Sequence, residues 1–256
     1  MPIASDLYYF EHRGGKEDQP AVVLIHGAGG SHLHWPAQVR RLGDYRIYAL
    51  DLPGHGKSSG RGRQSVEAYA HEIGNWMQAV ALSKAVFVGH SMGGAIALKL
   101  GIRNPRCVLA LGLVGTGARL KVDPVILEDT AMPVTVNAAV ETIAQRAFSP
   151  DTDPELVNLA AERMSEIRPS VLHGDLVACD AFDEMDSLDE VGVPTCVICG
   201  QDDQLTPPRF SQYMADHITK AELHILPQAG HMVMLEKPDQ VADILEDFLA
   251  TIPYPS

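Results

Sequence analysis

The chain has 256 residues, which is enough for one domain with a sizeable buried core. Its 20 Lys and Arg residues against 33 Asp and Glu residues give a formal charge of −13 at pH 7. This charge repels nucleic acids and anionic membranes, so neither is expected as a partner. The N-terminal segment lacks the pattern of a secretion signal, and no apolar stretch is long enough to span a bilayer. These features predict a cytoplasmic protein that acts on a small molecule.

Short aliphatic and β-branched runs alternate along the chain with longer helical patterns. Most of these runs are apolar on both faces, as strands are in a parallel sheet that helices cover on both sides. Helices are predicted over residues 65–82 and from about residue 238 onward, where apolar residues recur with helical spacing. The alternation predicts an α/β fold with a mostly parallel, doubly wound sheet. The predicted strands span residues 21–25, 46–50, 85–88, 108–114, 195–199 and 223–226.

The alternation of strands and helices stops between residues 119 and 185. This segment contains several prolines and no strand-like run, and helical patterns cover residues 134–147 and 154–167. We therefore predict a helical cap at residues 119–185. It is inserted into a core made of residues 1–118 and 186–256.

The pentapeptide Gly89-His-Ser-Met-Gly93 lies between the predicted strand 85–88 and a helix-forming run. A sharp turn from strand to helix needs glycines on both sides of the central residue, because a side chain there would collide with the neighbouring backbone. Such a turn exposes its serine above the sheet edge. Ser91 is therefore a candidate nucleophile, which requires a histidine base, a carboxylate to orient that base, and donors to an oxyanion.

Two later loops supply candidates for the base and the carboxylate. Residues 200–207 follow one predicted strand and contain Asp202 and Asp203, and His231 follows the last predicted strand. Loops at the carboxyl ends of parallel strands gather along one edge of the sheet, so both can meet the Ser91 turn. The residues alone leave Asp202 and Asp203 as alternatives.

Five motifs together make the chain resemble the α/β-hydrolase family over nearly its whole length. The resemblance is closest to the group of serine esterases, enol-lactonases and C–C bond hydrolases, and it implies a catalytic triad of Ser91, Asp203 and His231. It also implies that the backbone N–H groups of Ala28 and Met92 form the oxyanion hole. The matching motifs are His26-Gly-Ala-Gly-Gly30, Asp51-Leu-Pro-Gly-His-Gly-Lys-Ser58, Gly89-His-Ser-Met-Gly-Gly94, Gly200-Gln-Asp-Asp-Gln-Leu-Thr-Pro207 and Ala229-Gly-His231.

A cap of this size usually shapes the substrate pocket in that family. Apolar cap residues and residues beside the triad are therefore expected to line the pocket, and the loop histidines His32 and His34 are candidates for its mouth. His90 is expected to be structural, since the turn directs adjacent side chains apart. The pocket residues predicted in this way are His32, Phe148, Leu176, Phe182 and Met232.

An apolar pocket suits small to medium uncharged esters or lactones, and the expected reaction is hydrolysis through an acyl-Ser91 intermediate. C–C bond hydrolysis and cofactor-free haloperoxidase or perhydrolase chemistry are alternatives within the family. A ligand receptor that retains the triad is the non-enzymatic alternative. The sequence does not indicate the oligomeric state.

No cofactor and no metal are expected. Gly56-Lys57-Ser58 ends like a phosphate-binding loop, but Asp51 stands where that motif needs a glycine. His71-Glu72 begins like a zinc-protease helix, but Asn75 replaces the second histidine. Cys196 and Cys199 have C-x-x-C spacing within an apolar run, which favours buried thiols over a redox or metal pair.

Overall fold

The computed structural model describes residues 2–15 and 19–253. In this part of the chain, eight strands form one sheet in the order β1-β2-β4-β3-β5-β6-β7-β8. Strands β3 to β8 pair in parallel, whereas β1 pairs with β2, and β2 with β4, in antiparallel fashion. The strands are β1 (Ile3–Ala4), β2 (Leu7–Arg13), β3 (Val22–Ile25), β4 (Arg46–Leu50), β5 (Ala85–His90), β6 (Val108–Val114), β7 (Thr195–Gly200) and β8 (Ala221–Leu226).

The predicted fold class is confirmed, and all six predicted strands are present. Strands β1 and β2 were not predicted, because β1 has two residues and β2 is only partly buried, so neither shows a continuous apolar run. The remaining differences are shifts of one or two residues at strand ends, where hydrogen bonding continues past the apolar residues.

Both faces of the sheet are covered by helices. Alternate strand residues such as Val23 and Phe87 pack on one face with α2 and α3, and residues such as Leu24 and Val88 pack on the other face with α1 and α10. Cys196 and Cys199 on β7 are fully buried free thiols, and burial raises the pKa of each. The core helices are α1 (Ala37–Arg40), α2 (Val66–Ala79), α3 (Met92–Arg103), α8 (Pro208–His217), α9 (Val233–Glu236) and α10 (Pro238–Ala250), with α4 to α7 between β6 and β7.

The helices between β6 and β7 share a separate apolar cluster that includes Ile126, Ile143 and Leu176. Arg119 and Asp183 form an antiparallel bridge where this segment leaves and rejoins the sheet. The division into core and cap at residues 119 and 185 stays a prediction, and these four helices are called the cap helices below. They are α4 (Pro124–Ala131), α5 (Val136–Ala147), α6 (Pro154–Ser165) and α7 (Pro169–Asp180).

The sharpest turn in the core joins β5 to α3 through Ser91, whose φ and ψ are 53° and −119°. A Cβ atom on Gly89 would lie 2.0 Å from the carbonyl oxygen of Gly93, and one on Gly93 would lie 2.2 Å from that of Ile25. Backbone atoms cannot move aside as side chains can. The two glycines therefore let strand, turn and helix pack at this distance.

Gly93→Ala should lower the free energy of unfolding by about 1–3 kcal/mol, because the added methyl group overlaps the backbone of β3. Gly74→Ala is the matched control: its Cβ enters open space on α2, and it should raise the free energy of unfolding by up to about 1 kcal/mol. Urea unfolding of both variants measures the difference. Equal stability of the two variants would contradict the packing described for the turn.

Candidate active site

Ser91 follows β5 directly, and hydrogen bonds of its backbone groups fix its position. Its N–H donates to the carbonyl oxygen of Val114 at 2.9 Å, and Thr116 Oγ1 donates to the Ser91 carbonyl oxygen at 2.8 Å. A positive φ at a residue other than glycine is strained and persists only where surrounding contacts enforce it. The Ser91 side chain is partly exposed and lines a cavity between the sheet edge and the cap helices.

Asp203 and His231 lie in the loops after β7 and β8, and the structure brings them into contact. His231 Nδ1 is 2.9 Å from Asp203 Oδ2, and both side chains are buried. An ionised carboxylate only accepts hydrogen bonds, so this contact favours the tautomer in which Nδ1 carries the proton and donates it in a hydrogen bond to Asp203. Nε2 of that tautomer is a free base, and His231 lines the same cavity as Ser91.

Asp203 is surrounded by donors in addition to the imidazole. The N–H groups of Leu205 and Thr206 donate to Oδ1 at 2.9 and 2.8 Å, and Thr206 Oγ1 donates to Oδ2 at 2.8 Å. Burial by itself would raise the pKa of Asp203, but His231 and the Thr206 donors outweigh it and lower the pKa below the usual value. Asp203 is therefore an ionised carboxylate at neutral pH.

Asp202 faces a different neighbour. Its Oδ2 accepts a hydrogen bond from Ser149 Oγ at 2.7 Å, and its N–H donates to the Ala229 carbonyl oxygen at 2.9 Å. The two aspartates lie in a turn in which the Asp203 N–H donates to the Gly200 carbonyl oxygen at 3.3 Å, and one of their carboxylates contacts His231. That carboxylate belongs to Asp203.

The two backbone groups expected to stabilise an oxyanion flank Ser91. Met92 is the first residue of α3, so its N–H has no acceptor within the helix and lies at the positive end of the helix dipole. Ala28 is in the loop after β3, next to Gly27. A Cβ atom on Gly27 would be 3.0 Å from Ser91 Cβ, which shows how closely this loop approaches the serine.

The cavity in front of Ser91 has a volume of about 260 Å³ and is mostly apolar. Leu176 from α7 and Met232 line it, where the sequence placed them. His34 also lines it, and burial together with the neighbouring His55 lowers the pKa of His34 to about 4, so its imidazole is neutral at pH 7. The other apolar side chains that line the cavity include Leu120, Val122, Ile126, Ile143, Ala147, Met164, Cys179 and Leu205.

Three predicted pocket residues do not line the cavity, and the prediction for them is wrong. His32 contacts Asp51 at the end of β4: its backbone N–H donates to Asp51 Oδ1 at 2.6 Å, and its Nδ1 is 2.8 Å from the same oxygen. Phe148 and Phe182 are buried on opposite faces of the sheet core. Both side chains pack with core residues and therefore do not face the cavity.

Charged residues at the cavity were also missed by the sequence analysis. Arg146 on α5 contacts Asp123 at the start of α4, with Nη1 2.9 Å from Oδ2. Lys121 Nζ is 3.8 Å from Asp180 Oδ1. Each cation thus has an acidic partner, and pairing over such long sequence separations leaves no local signal in the sequence.

His90 neighbours Ser91 in the sequence, but its side chain contacts the loop that carries His231. Its Nε2 lies 3.0 Å from the carbonyl oxygen of His231, and the two imidazole rings are 4.7 Å apart. Burial first, and then the nearby His231, lower the pKa of His90 well below its usual value. A neutral His90 can donate to that carbonyl and so supports the loop that carries His231.

The fold agrees with the comparison with known proteins. The sequence profile of the Alpha/beta hydrolase family matches residues 22–244, and the chain belongs to this family. The 3-oxoadipate enol-lactonase 1 of Acinetobacter baylyi is 27% identical over 245 residues, which cover 93% of this chain and 91% of that protein. The 2-hydroxy-6-oxo-6-phenylhexa-2,4-dienoate hydrolase of Burkholderia cepacia is 29% identical over 251 residues, which cover 90% and 87%.

Solved structures of an esterase and an enol-lactonase are similar to this chain over most of its length. A thermophilic esterase is 37% identical, with a TM-score of 0.80 over 95% of this chain and 98% of that one. The enol-lactonase of Burkholderia xenovorans LB400 shares the fold, with a TM-score of 0.87 at 24% identity over 95% and 96% of the two chains. Family membership and the esterase and lactonase relatives support a hydrolase activity. Within the described residues, none of the helices has the length and apolarity needed to cross a membrane.

Proposed function

We propose that this protein is a serine hydrolase that cleaves small to medium carboxylic esters or lactones through an acyl-Ser91 intermediate. The observation that carries the proposal is the contact of His231 Nδ1 with the buried Asp203, at a cavity that Ser91 also lines. The strained turn presents the serine, and the carboxylate orients the base. The esterase and lactonase relatives support the same class of reaction.

In the proposed reaction, His231 Nε2 takes the hydroxyl proton of Ser91 while Oγ attacks the carbonyl carbon of the substrate. The negative oxygen that forms is stabilised by the N–H groups of Ala28 and Met92. The imidazolium then gives its proton to the departing alcohol oxygen. A water molecule, activated by His231, releases the acyl group and restores the serine.

The cavity suits a substrate without a net charge. Its wall is mostly aliphatic, and the charged groups beside it occur as the pairs Arg146 with Asp123 and Lys121 with Asp180. A substrate charge would have to compete with a partner already present. Cleavage of a C–C bond, the reaction that the name of the Burkholderia cepacia relative indicates, is the competing activity to test alongside esters and lactones.

Ser91→Ala should reduce the kcat for hydrolysis of p-nitrophenyl acetate by at least about 10³-fold, since the attacking oxygen is lost. Its free energy of unfolding should change by less than about 1 kcal/mol, because Oγ faces the cavity and not the core. Ser165→Ala, on the exposed end of α6, is the matched control and should keep full activity. Residual Ser91→Ala activity above a few per cent would refute the proposed nucleophile.

Asp203→Asn should lower kcat by about 10⁴-fold, because an amide cannot stabilise the imidazolium and favours the wrong tautomer. Asp202→Asn is the same chemical change one residue away, and it should stay within about threefold of wild type because Asp202 faces Ser149. Side-by-side kinetics at pH 7 measure both. A large loss for Asp202→Asn with a near-normal Asp203→Asn would reverse the assignment.

Leu176→Ala should shift the preference among p-nitrophenyl esters to longer acyl chains, because it removes side-chain volume from α7 and enlarges the cavity. Leu188→Ala makes the same change in the core, where Leu188 is 1% exposed and does not line the cavity. It should cost about 2–5 kcal/mol of stability and leave the order of substrates unchanged. Rates over an acyl series, with a lactone and a vinylogous diketone included, test this.

An unchanged acyl preference in Leu176→Ala would place the acyl pocket elsewhere. A wild-type turnover far below about 1 per second on every member of the series would favour a ligand receptor over an enzyme.

A further inference from the structure

Asp175 is a cap residue whose carboxylate is completely buried against the core. It lies on α7, and its side chain has 0% exposure. Three core segments approach it: the Gly29 N–H donates to Oδ2 at 2.9 Å, His55 Nε2 is 2.7 Å from Oδ2, and the Tyr69 hydroxyl donates to Oδ1. A buried carboxylate is costly unless such partners surround it, so this contact needs a structural or functional reason.

The geometry around His55 shows that it forms an ion pair with Asp175. Nε2 faces the Asp175 carboxylate, and Nδ1 faces the carbonyl oxygen of Pro53 at 3.1 Å. Both partners only accept hydrogen bonds, so both ring nitrogens are satisfied when each of them carries a proton and the imidazole is charged. Burial would lower the pKa of His55, but the charge and hydrogen bond of Asp175 outweigh it and raise the pKa. The pair joins α7 to the loop 51–58.

The third contact reaches the loop that carries Ala28. Gly29 directly follows Ala28, and its φ of +62° places it in the left-handed region. The Gly30 N–H donates to the Gly27 carbonyl oxygen at 3.1 Å, which closes a tight turn around Ala28. Asp175 accepts a hydrogen bond from the Gly29 N–H, so the cap fixes the peptide group that joins the two central residues of this turn, Ala28 and Gly29.

The cap helices also restrict this turn by packing. A Cβ atom on Gly29 would lie 3.0 Å from Leu172 Cδ1 and 3.1 Å from Met164 Cγ, which belong to α7 and α6. The turn 27–30 is thus enclosed by two cap helices and held by one cap carboxylate. The orientation of the turn 27–30 therefore depends on the position of α6 and α7 relative to the core.

We propose that Asp175 is a positioning residue that holds the turn 27–30 so that the Ala28 N–H faces the oxyanion formed at Ser91. The inference rests on the proposed function. It makes the cap a contributor to the rate of the chemical step, in addition to any effect on substrate choice. It also explains why a carboxylate from the cap is buried beside the loop and not at the cavity.

The test is Asp175→Asn, which keeps the size of the side chain and removes its charge. The kcat for p-nitrophenyl acetate should fall at least about tenfold, since a displaced oxyanion donor costs up to about 10²–10³-fold. A trifluoromethyl ketone, which adds to the serine and forms an oxyanion, should lose affinity by a similar factor. The corresponding secondary alcohol forms no oxyanion, so its affinity should stay within about threefold of wild type.

Glu141→Gln on α5 is the matched control, because it makes the same carboxylate-to-amide change at an exposed cap position that does not line the cavity. It should leave both inhibitor affinities unchanged. Equal losses for the ketone and the alcohol in folded Asp175→Asn would indicate a deformed cavity and overturn the inference. Unchanged affinities for both would overturn it as well.

Tyr69→Phe decides the question if Asp175→Asn does not fold, because it removes one donor to Asp175 and leaves the ion pair intact. A selective loss of ketone affinity of about threefold or more is expected, and an unchanged affinity overturns the inference. Ser91→Ala in the same assay separates the two proposals. If that variant is inactive while the Asp175 and Tyr69 variants behave like wild type, only the positioning role fails.

Discussion

The strained backbone at Ser91 is the constraint on which the rest of the site depends. Its φ of 53° is held by the hydrogen bonds of Ser91 with Val114 and Thr116, and the turn is possible because Gly89 and Gly93 have no side chains where β5 and α3 meet. The neighbouring strand β3 contributes the Ile25 carbonyl oxygen that Gly93 approaches. The same strand continues into the loop of Ala28, so one packing arrangement presents the serine and brings the proposed oxyanion donors beside it.

The segment between β6 and β7, which contains the cap helices, contacts the loops after β3, β7 and β8. Asp175 holds Gly29 in the loop after β3, Ser149 donates to Asp202 in the loop after β7, and the Met232 N–H donates to the Ala147 carbonyl oxygen at 2.9 Å beside His231. Cap and core are therefore coupled at each of these loops. With the positioning role proposed for Asp175, the cap contributes to the chemical step as well as to the choice of substrate.

Much of the fold followed from the sequence because parallel strands buried on both faces leave continuous apolar runs. Strand β2 was not predicted because it is antiparallel and partly exposed, and its aromatic and charged residues do not form a continuous apolar run. The proposed triad could be located because its members follow strand ends in a set order. The residues that line the pocket could not be predicted in this way. Phe182 and Leu176 are both apolar cap residues, but Phe182 packs in the core and Leu176 lines the cavity, and the sequence does not distinguish them. The partners of Asp175 are separated from it by more than 100 residues, so no local pattern reveals them.

The most direct test of the proposed site is a crystal structure of the protein after reaction with a fluorophosphonate, which forms a stable analogue of the tetrahedral intermediate. The account predicts one adduct, with phosphorus bonded to Ser91 Oγ. It also predicts that the phosphonyl oxygen lies about 2.7–3.1 Å from the backbone nitrogens of Ala28 and Met92. An adduct on another residue, or a phosphonyl oxygen that faces away from both nitrogens, would contradict the account.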